Sequence, residues 1–445
     1  MEKIFAEGKV SKVFVKFAIP AILTNLLTMS AFFIDGILIG QFIGLEGLAA
    51  VNLVFPVFIM IGATGIIVAS GSSALVGKYL GQDNKTEAKH VFNLALALCI
   101  ILSIIISSTV LIFVDDITGL LGATGSLYEL TREYFSVILI FFGLILTSFV
   151  LEFFIRNVGD SIFPIKSTGI ASVVNVVLTY VFLTVFDMGL AGAAWATGIS
   201  FTSSIIILAT YFLRKKLSLS YGKPVFKIIT IKKILHNGVS ESLSEFSSGS
   251  VILIFNLMLL QFIGEIGVAA FAIISFISLM MLMVNFGFSM ALQPMVSYNY
   301  GAKLAKRVTD TLKIAITIST AAGIVFYFIV LVFGEYVVGL FVNNNQQLST
   351  ISLEALQIYG LSYIFIGINI LASAYLTALE KPKLSLLVAL SYSFIFAVIG
   401  LVIFPQILGV TGIWWAIPFA NIVSIFVSVY MIKRSNRKLI LQSNS

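Results

Sequence analysis

The chain has little of what enzymes and soluble domains depend on. Of its 445 residues, only 11% are charged, two are histidine and one is cysteine. A lone cysteine, Cys99, cannot form an intramolecular disulfide. Two histidines and one cysteine argue against a zinc site, and the absence of a phosphate loop ending in GKS or GKT argues against an ATP-driven motor. We therefore expect no enzymatic activity and no cofactor.

Apolar sequence, by contrast, is abundant. Hydrophobic residues make up 59% of the chain, and apolar runs of about 18 residues or more, long enough to cross a bilayer as a helix, recur throughout. So few charges leave no room for a sizeable soluble domain. The sequence predicts an all-α polytopic membrane protein with twelve transmembrane helices. Their predicted bounds are 14–43, 48–76, 90–113, 131–155, 162–186, 189–213, 235–263, 267–296, 308–333, 354–379, 384–404 and 409–432.

The basic residues are distributed unevenly about these spans. Of the 27 Lys and Arg residues, all except Arg132 fall on one side of the twelve-span arrangement. Because basic loops remain in the cytoplasm, this distribution predicts a multi-pass protein of the plasma or inner membrane with both termini cytoplasmic. The net charge of +7 is then explained by topology and contact with anionic lipid, not by binding of nucleic acid.

The sequence repeats itself with an offset of 220 positions. Residues 40–50 are echoed by 260–270, residues 79–81 by 299–301, and residues 189–196 by 409–416. An even number of spans per copy places both copies in the membrane in the same direction. We therefore predict two six-helix lobes related by a parallel 6+6 repeat, with any substrate site at their interface. The predicted divisions are an N-terminal lobe over 1–213, a basic cytoplasmic linker over 214–234, and a C-terminal lobe with a short tail over 235–445.

A carboxylate, Asp35, lies inside the first apolar run. An acid at membrane depth costs about 2.5–3.5 kcal/mol and is a functional candidate by default. Burial disfavours its charged form, so we expect it to take up a proton unless a cation lies beside it. Thr24, Thr28 and, slightly offset, Asn25 share its helix face. A structural role, with the acid bonded to neighbouring hydroxyls, is the alternative, but a serine or asparagine would fill that role at lower cost.

The seventh span carries two carboxylates one helical turn apart, Glu241 and Glu245. In a low dielectric both cannot stay charged unless a cation lies between them. The pair is expected to hold Na⁺, a shared proton or a basic substrate; alternatively, Glu241 is solvated or ion-paired at the inner boundary. Met258 and Met283, with phenylalanines nearby, could form an adaptable apolar wall.

Two further polar groups have mainly structural interpretations. Glu152 precedes Arg156 by four residues, which predicts an intrahelical ion pair. Four uncharged polar residues share a stripe of the fifth span and could line a cavity, although holding helices together is favoured. These residues are Thr168, Ser172, Asn175 and Thr179.

Taken together, these features resemble the multidrug and toxic compound extrusion (MATE) family, in its bacterial multidrug-exporter subgroup. Residues 17–20 and 35–40 are similar to that family's first helix, residues 156–160 fit the segment after the fourth span, and residues 237–241 resemble the start of the seventh. The Gly-rich starts at 189 and 409 fit as well. The resemblance covers about residues 12–433.

The resemblance implies two lobes facing each other as a V, and export of cationic amphipathic compounds driven by inward flow of H⁺ or Na⁺. Asp35 matches the aspartate that many members use for cation coupling. Asn175 matches the Asn of an N-x-x-x-D pattern, whose Asp position is Thr179 here. The second copy has Phe255 at the position of Asp35, so chemistry in the C-terminal lobe would rest on its two glutamates.

These arguments assign two sets of site residues. The cation-coupling set is Asp35, Asn175, Thr179 and Thr28, and the substrate-binding set is Glu241, Glu245, Asn25, Met258 and Met283. No firm metal site is predicted, although Na⁺ could lie at Asp35 or between the two glutamates. The expected partners are small organic cations and membrane lipids, and the expected state is a monomer. The alternatives are a flippase for lipid-linked oligosaccharides, or a membrane scaffold without transport activity.

Overall fold

Helices account for nearly all of the residues that the computed structural model describes, which are 4–121, 123, 125–213, 218–339 and 346–443. The first lobe comprises α2 to α8 and the second α9 to α16, with a π-helical segment, Ser391–Ile395, between α14 and α15. In chain order the helices are α1 (Ile4–Glu7), α2 (Val10–Phe42), α3 (Leu45–Gly81), α4 (Lys85–Ile112), α5 (Val114–Leu120), α6 (Ser126–Asn157), α7 (Ile162–Thr184), α8 (Gly189–Tyr211), α9 (Ile228–Ile263), α10 (Glu265–Gly301), α11 (Ala305–Gly339), α12 (Gln346–Gly360), α13 (Ser362–Ala378), α14 (Pro382–Leu390), α15 (Phe396–Leu408) and α16 (Val410–Ser443).

The helices supply the twelve predicted membrane crossings. Within the described ranges, 11 helical segments are long and apolar enough to span a bilayer, the run Pro382–Leu408 of α14, the π-helical segment and α15 counting as one, and the pair α12–α13 supplies one more. That pair bends by 43° at Leu361, within the span predicted over 354–379. The crossing also begins earlier, at Gln346. Gly360 lies just before the bend, and a Cβ there would lie 3.2 Å from the rings of Tyr327 and Tyr363.

Backbone conformations at matching positions of the two lobes agree with the repeat predicted from the sequence. Gly44 and Gly264 both have positive φ where one long helix gives way to the next, at 92° and 70°. Gly189 and Gly409, again 220 positions apart, have φ of 58° and 60°. Glycine adopts positive φ more readily than other residues, so glycines with positive φ at matching positions mark matching turns. This agreement confirms two six-helix lobes in a parallel repeat. The exact lobe and linker boundaries remain predictions, and residues 214–217 of the linker lie outside the described part.

The hydrophobic core divides into three clusters, and their membership reveals the shape of the molecule. One cluster draws on both lobes and includes Phe17 of α2, Val76 of α3 and Met295 of α10. A second uses only C-lobe residues, among them Phe255, and a third uses only N-lobe residues, among them Ile39. The lobes are therefore joined at the end that carries the chain termini and are packed separately at the other end, as in a V.

Two glycines bring the lobes into backbone contact at the closed end. A Cβ added to Gly71 of α3 would lie 2.0 Å from the carbonyl oxygen of Ile234, and one added to Gly238 of α9 would lie 2.0 Å from that of Ile67. Such spacing leaves no room for a side chain. We call this crossing of α3 and α9 the seam. An ion pair between Lys78 and Glu380 also links the two lobes at this end.

The N-terminal helix reinforces the same closure. The guanidinium of Arg307 on α11 donates to the carbonyl oxygen of Phe5 at 2.7 Å and to that of Gly8 at 2.6 Å. Asn299 on α10 donates to the Phe5 carbonyl at 3.1 Å. Carbonyls at a helix end need such donors, and here residues of the opposite lobe provide them.

Arg132, the one exception to the basic-residue asymmetry, is neutralised locally. Its guanidinium donates a hydrogen bond to the carboxylate of Asp115, which lies on the short helix α5 outside the spans. The positive-inside rule counts Lys and Arg, and Arg132 is one of 27, so the orientation of the termini stays a prediction from the other 26.

Candidate functional site

Asp35 faces the interior of the N-lobe. Its side chain is 6% exposed on α2, and the hydroxyl of Thr179 on α7 donates to its Oδ1 at 2.5 Å. Oδ2 accepts no hydrogen bond from the described residues, yet it is not among the fully sealed polar atoms. The acid is thus held in place by one oxygen and can be reached at the other. Tyr134 of α6, itself buried, lies within electrostatic reach of it.

The other members of the predicted coupling set lie further away. Asn175 is one helical turn from Thr179, but its amide donates to Thr197 of α8 at 3.3 Å. Thr28 is exposed and donates to the carbonyl of Thr24 on its own helix at 3.0 Å. Of the predicted set, only Thr179 therefore bonds to Asp35 within the described part of the chain. Thr28 and Asp35 lie on the same face of α2, as predicted, but Thr28 does not bond to Asp35.

The polar stripe of α7 binds helices together, as the favoured interpretation predicted. Thr168 donates to Glu152 of α6 at 3.3 Å, Ser172 to the carbonyl of Leu27 at 3.5 Å, and the next two members to α8 and α2 as described above. The ion pair between Arg156 and Glu152 is also confirmed, at 3.1 Å and with both residues buried.

The two carboxylates of α9 lie close to the seam. The amide of Gln293 on α10 donates to Glu241 at 2.5 Å, and Ser70 of α3 faces the same carboxylate without completing a hydrogen bond. Glu241 is therefore neither free in solvent nor ion-paired at the boundary. It lies where the two lobes meet, with neighbours from both.

Glu245 lies one turn further along α9 and is less constrained. Within the described residues its carboxylate accepts no hydrogen bond, and neither oxygen is among the sealed polar atoms. Next to it, Ser244 shares a hydrogen bond of 3.1 Å with Tyr392, which lies in the π-helical segment. Such segments often occur at functional sites because they reorient side chains. The arrangement is a pair of partly buried carboxylates with unoccupied accepting oxygens.

The remaining members of the predicted substrate set do not join this pair. The amide of Asn25 donates to the backbone carbonyl of Met283 at 3.1 Å, which ties α2 to α10 across the lobes. Met258 packs against the C-lobe cluster that includes Phe255. At 13 residues beyond Glu245, it lies about 20 Å further along α9. The five residues therefore lie in three separate places: the two glutamates on α9, the contact of Asn25 with Met283 between α2 and α10, and Met258 further along α9.

An aromatic stack occupies the C-lobe position that corresponds to Asp35. Phe255 is fully buried and stacks on Phe271 with ring centroids 4.5 Å apart, and Trp414 lies 5.9 Å from it. This packing leaves no polar group to hold an ion at that position. It agrees with the expectation that C-lobe chemistry would have to rest on the glutamates.

Three residues near the glutamates were missed. Gln293 could have been found, since a polar amide in an apolar span is costly for the same reason as Asp35. Ser70 and Tyr392 gave no such signal, because serine and tyrosine are common in membrane helices and only the folded chain brings them to α9.

The comparisons with known proteins agree with this architecture. The model of the MatE family matches residues 20–181 and 242–404, one segment in each lobe. Multidrug export protein MepA of Staphylococcus haemolyticus (strain JCSC1435) is 24% identical over 99% of this chain and 97% of that protein. Probable multidrug resistance protein YoeA of Bacillus subtilis (strain 168) is 23% identical over 92% of this chain and 86% of that protein.

Solved structures match over nearly the full length. A structure described as the outward-facing conformation of a multidrug resistance MATE family transporter of the MOP superfamily superposes with a TM-score of 0.92, at 25% identity over 98% of both chains. A crystal structure of MATE in the bent conformation gives 0.93, at 24% identity over 100% of this chain and 99% of that one. With both lobes matched by the family model, this multi-pass membrane protein belongs to the MatE family.

Proposed function

We propose that the protein is a secondary active transporter that exports cationic amphipathic compounds in exchange for H⁺ or Na⁺. The observation that carries the proposal is the Asp35 carboxylate, which is buried in the N-lobe, bonded at one oxygen by Thr179 and open at the other. A charge at membrane depth is costly and typically marks an ion or substrate pathway. Relatives named multidrug export protein and multidrug resistance protein support the same function.

In this mechanism Asp35 is the coupling group. Uptake of a proton, or of Na⁺ at Oδ2, removes the cost of an uncompensated charge. It also changes the charge on the Asp35 carboxylate that accepts the hydrogen bond from Thr179. The bond between α2 and α7 therefore depends on ion occupancy. Because Asn25 of the same helix holds α10 across the lobes, a shift of α2 changes the contact between the lobes.

The glutamates of α9 are the proposed substrate site. Two carboxylates one turn apart are stable together only with a proton or a cation between them. The open oxygens of Glu245 suit an organic cation. Adjacent apolar side chains would accept the hydrophobic part of an amphipathic compound.

Exchange requires that the ion and the substrate favour different states. A ligand with equal affinity for both states shifts neither. Glu241 lies between the lobes at the closed end, so separation of the lobes there would let it take up a cation from the cytoplasm. Asp35 lies within one lobe and senses the other only through α2. With the termini in the cytoplasm, the V opens outward, and the ion enters from outside.

The test is transport of a fluorescent organic cation by the purified protein in proteoliposomes, with a pH gradient and a Na⁺ gradient imposed separately. We expect Asp35→Asn to lower gradient-driven transport about tenfold or more. The matched control is Asp187→Asn, the same change at an exposed loop residue that already has positive φ, and it should transport within about twofold of wild type. Full gradient-driven transport by Asp35→Asn would overturn the coupling role.

The substrate site has its own test. Glu245→Gln should weaken binding of a monocationic dye about tenfold, because it removes a charge-assisted contact, and should leave binding of a neutral analogue unchanged. Glu354→Gln, at an exposed position on α12, is the control. Equal affinity of wild type and Glu245→Gln for the dye would refute this assignment. Movement of a lipid-linked pyrophosphate without cation transport would instead support the flippase.

A further inference from the structure

A basic cavity lies at the closed end of the C-lobe, and its lining on α9 ends one turn before Glu241. Its volume is about 490 Å³, and it is formed where α9 begins, where α13 turns into α14 and where α16 approaches its end. The charged and titratable groups that line it are Lys233, His236, Glu380, Lys381, Lys383 and Arg434. Three separate segments of the chain thus direct basic side chains into one concavity.

Two cations of the cavity, Lys383 and Arg434, have no acidic partner among the described residues. The one acid in the lining, Glu380, is paired with Lys78 of the other lobe. Lys381 donates to the backbone and hydroxyl oxygens of Ser435 at 2.9 and 2.7 Å, and these bonds fix its position. No carboxylate among the described residues lies within 4.0 Å of Lys383 or Arg434.

The N-lobe provides an internal comparison, because its turn between α6 and α7 occupies the equivalent place in the repeat. That turn, residues 158–161, has no basic residue. Asp160 there accepts from the backbone amides of Ile162 and Phe163 at 3.1 and 3.0 Å, so an acid of the protein caps α7. The C-lobe turn instead has Lys381 at the N-cap of α14, without a side-chain cap. The C-lobe turn thus carries a lysine beside its acid, Glu380, whereas the N-lobe turn carries only an acid.

The cavity borders an apolar surface. Leu384 lines it, and Leu387, one turn after Lys383 on the same face of α14, is 48% exposed. A ligand with an anionic head and an apolar tail fits this arrangement. Its head would lie among the cations of the cavity and its tail along the apolar face of α14.

We propose that this cavity binds a phosphate group, and that the ligand is an anionic phospholipid with its headgroup phosphate held by Lys383 and Arg434. Arg and Lys donate charge-assisted hydrogen bonds to phosphate oxygens. The site is distinct from the proposed transport sites and does not depend on them.

The probes are phosphatidylglycerol, phosphatidylcholine with the same acyl chains, and inorganic phosphate. Each is titrated by native mass spectrometry against the full-length protein in a neutral detergent at physiological ionic strength. The double variant Lys383→Gln/Arg434→Gln removes two cations from the cavity. The matched control Lys306→Gln/Lys313→Gln removes two from exposed positions of α11 at the same end of the molecule. Unchanged thermal unfolding of both variants in lipid-free detergent verifies that they are folded.

We expect wild type to bind phosphatidylglycerol in preference to phosphatidylcholine. The cavity variant should lose about tenfold more affinity than the control. Binding of inorganic phosphate with the same loss in the cavity variant, and no gain from the lipid, would support the phosphate site with a soluble ligand. Equal losses in the two double variants would mean general surface attraction and would overturn the proposal, as would an undiminished affinity in the cavity variant.

Discussion

Replacing Gly238 by alanine places a methyl group where the backbones of α3 and α9 meet. The new Cβ would lie 2.0 Å from the carbonyl oxygen of Ile67, whereas heavy atoms in contact are about 3.5–4.0 Å apart. The obstructing atom belongs to a backbone and cannot rotate away. The helices must therefore separate by about 1 Å or more, and overpacking of this kind costs about 1–3 kcal/mol.

The cost falls on one conformation only. It is present while the lobes touch at the seam and disappears when they separate there, so the ratio of closed to open molecules should fall about 5- to 150-fold. Alanine also stabilises the helix itself by about 0.8–1.0 kcal/mol relative to glycine, but equally in both conformations. Gly249→Ala on the same helix isolates this second effect, because a Cβ there meets nothing within 4 Å.

Thiol labelling can measure the shift. The chain has a single cysteine, Cys99, which is buried, so Cys99→Ser gives a background without thiols. Ser70 lies at the seam with its hydroxyl unpartnered among the described residues and is fully buried, so Ser70→Cys provides the reporter. With Gly238→Ala, a membrane-impermeant reagent applied from the side of the termini should label this cysteine about tenfold faster. With Gly249→Ala, labelling should stay at the background rate. If the two variants label alike, the seam does not control the closure.

Two further changes test contacts outside the membrane core. Arg307→Gln removes the guanidinium that bonds two carbonyls of the N-terminal segment; hydrogen exchange over residues 4–8 should accelerate about tenfold while α11 itself stays protected. The Arg132 guanidinium beside Asp115 holds the pKa of that carboxyl below its ordinary value of 3.8. A lowered folded-state pKa contributes stability above the unfolded value that is lost as pH falls through the folded one. Arg132→Gln should therefore lower the melting temperature slightly at pH 7 and not in strong acid, and high salt should abolish the difference.

The sequence was sufficient wherever a residue's own chemistry conflicted with its surroundings. Asp35 stands out because a charge in an apolar run needs a reason, and the alignment of Asn175 and Thr179 with a family pattern identified the helix that faces it. The pairing of Glu152 with Arg156 followed from helical spacing alone. Each of these inferences uses one helix, or one helix and one repeat, and needs no knowledge of how the bundle packs.

Contacts between lobes could not be predicted in this way. Gly71 and Gly238 are indispensable to the seam, whereas Gly62 and Gly249 on the same two helices face open space, and nothing in the local sequence separates the two kinds. A Cβ at Gly36 of α2 would also meet nothing within 4 Å. Close approach is a property of two surfaces, and a single chain segment specifies only one of them.

The position of Asn25 links the two halves of the proposed mechanism. It lies ten residues before Asp35 on α2, about 15 Å along one continuous helix, and its amide holds α10. Glu241 meets α10 as well, through Gln293. Both sites therefore contact α10 of the C-lobe. The ion site at Asp35 reaches it through α2, and the substrate site at Glu241 contacts it directly. We infer that α10 is the element whose position both ligands bias, since coupling between distant sites requires a shared element with two arrangements. A direct contact between the ion and the substrate is then unnecessary, and the separation of Asp35 from the glutamates is no obstacle to exchange.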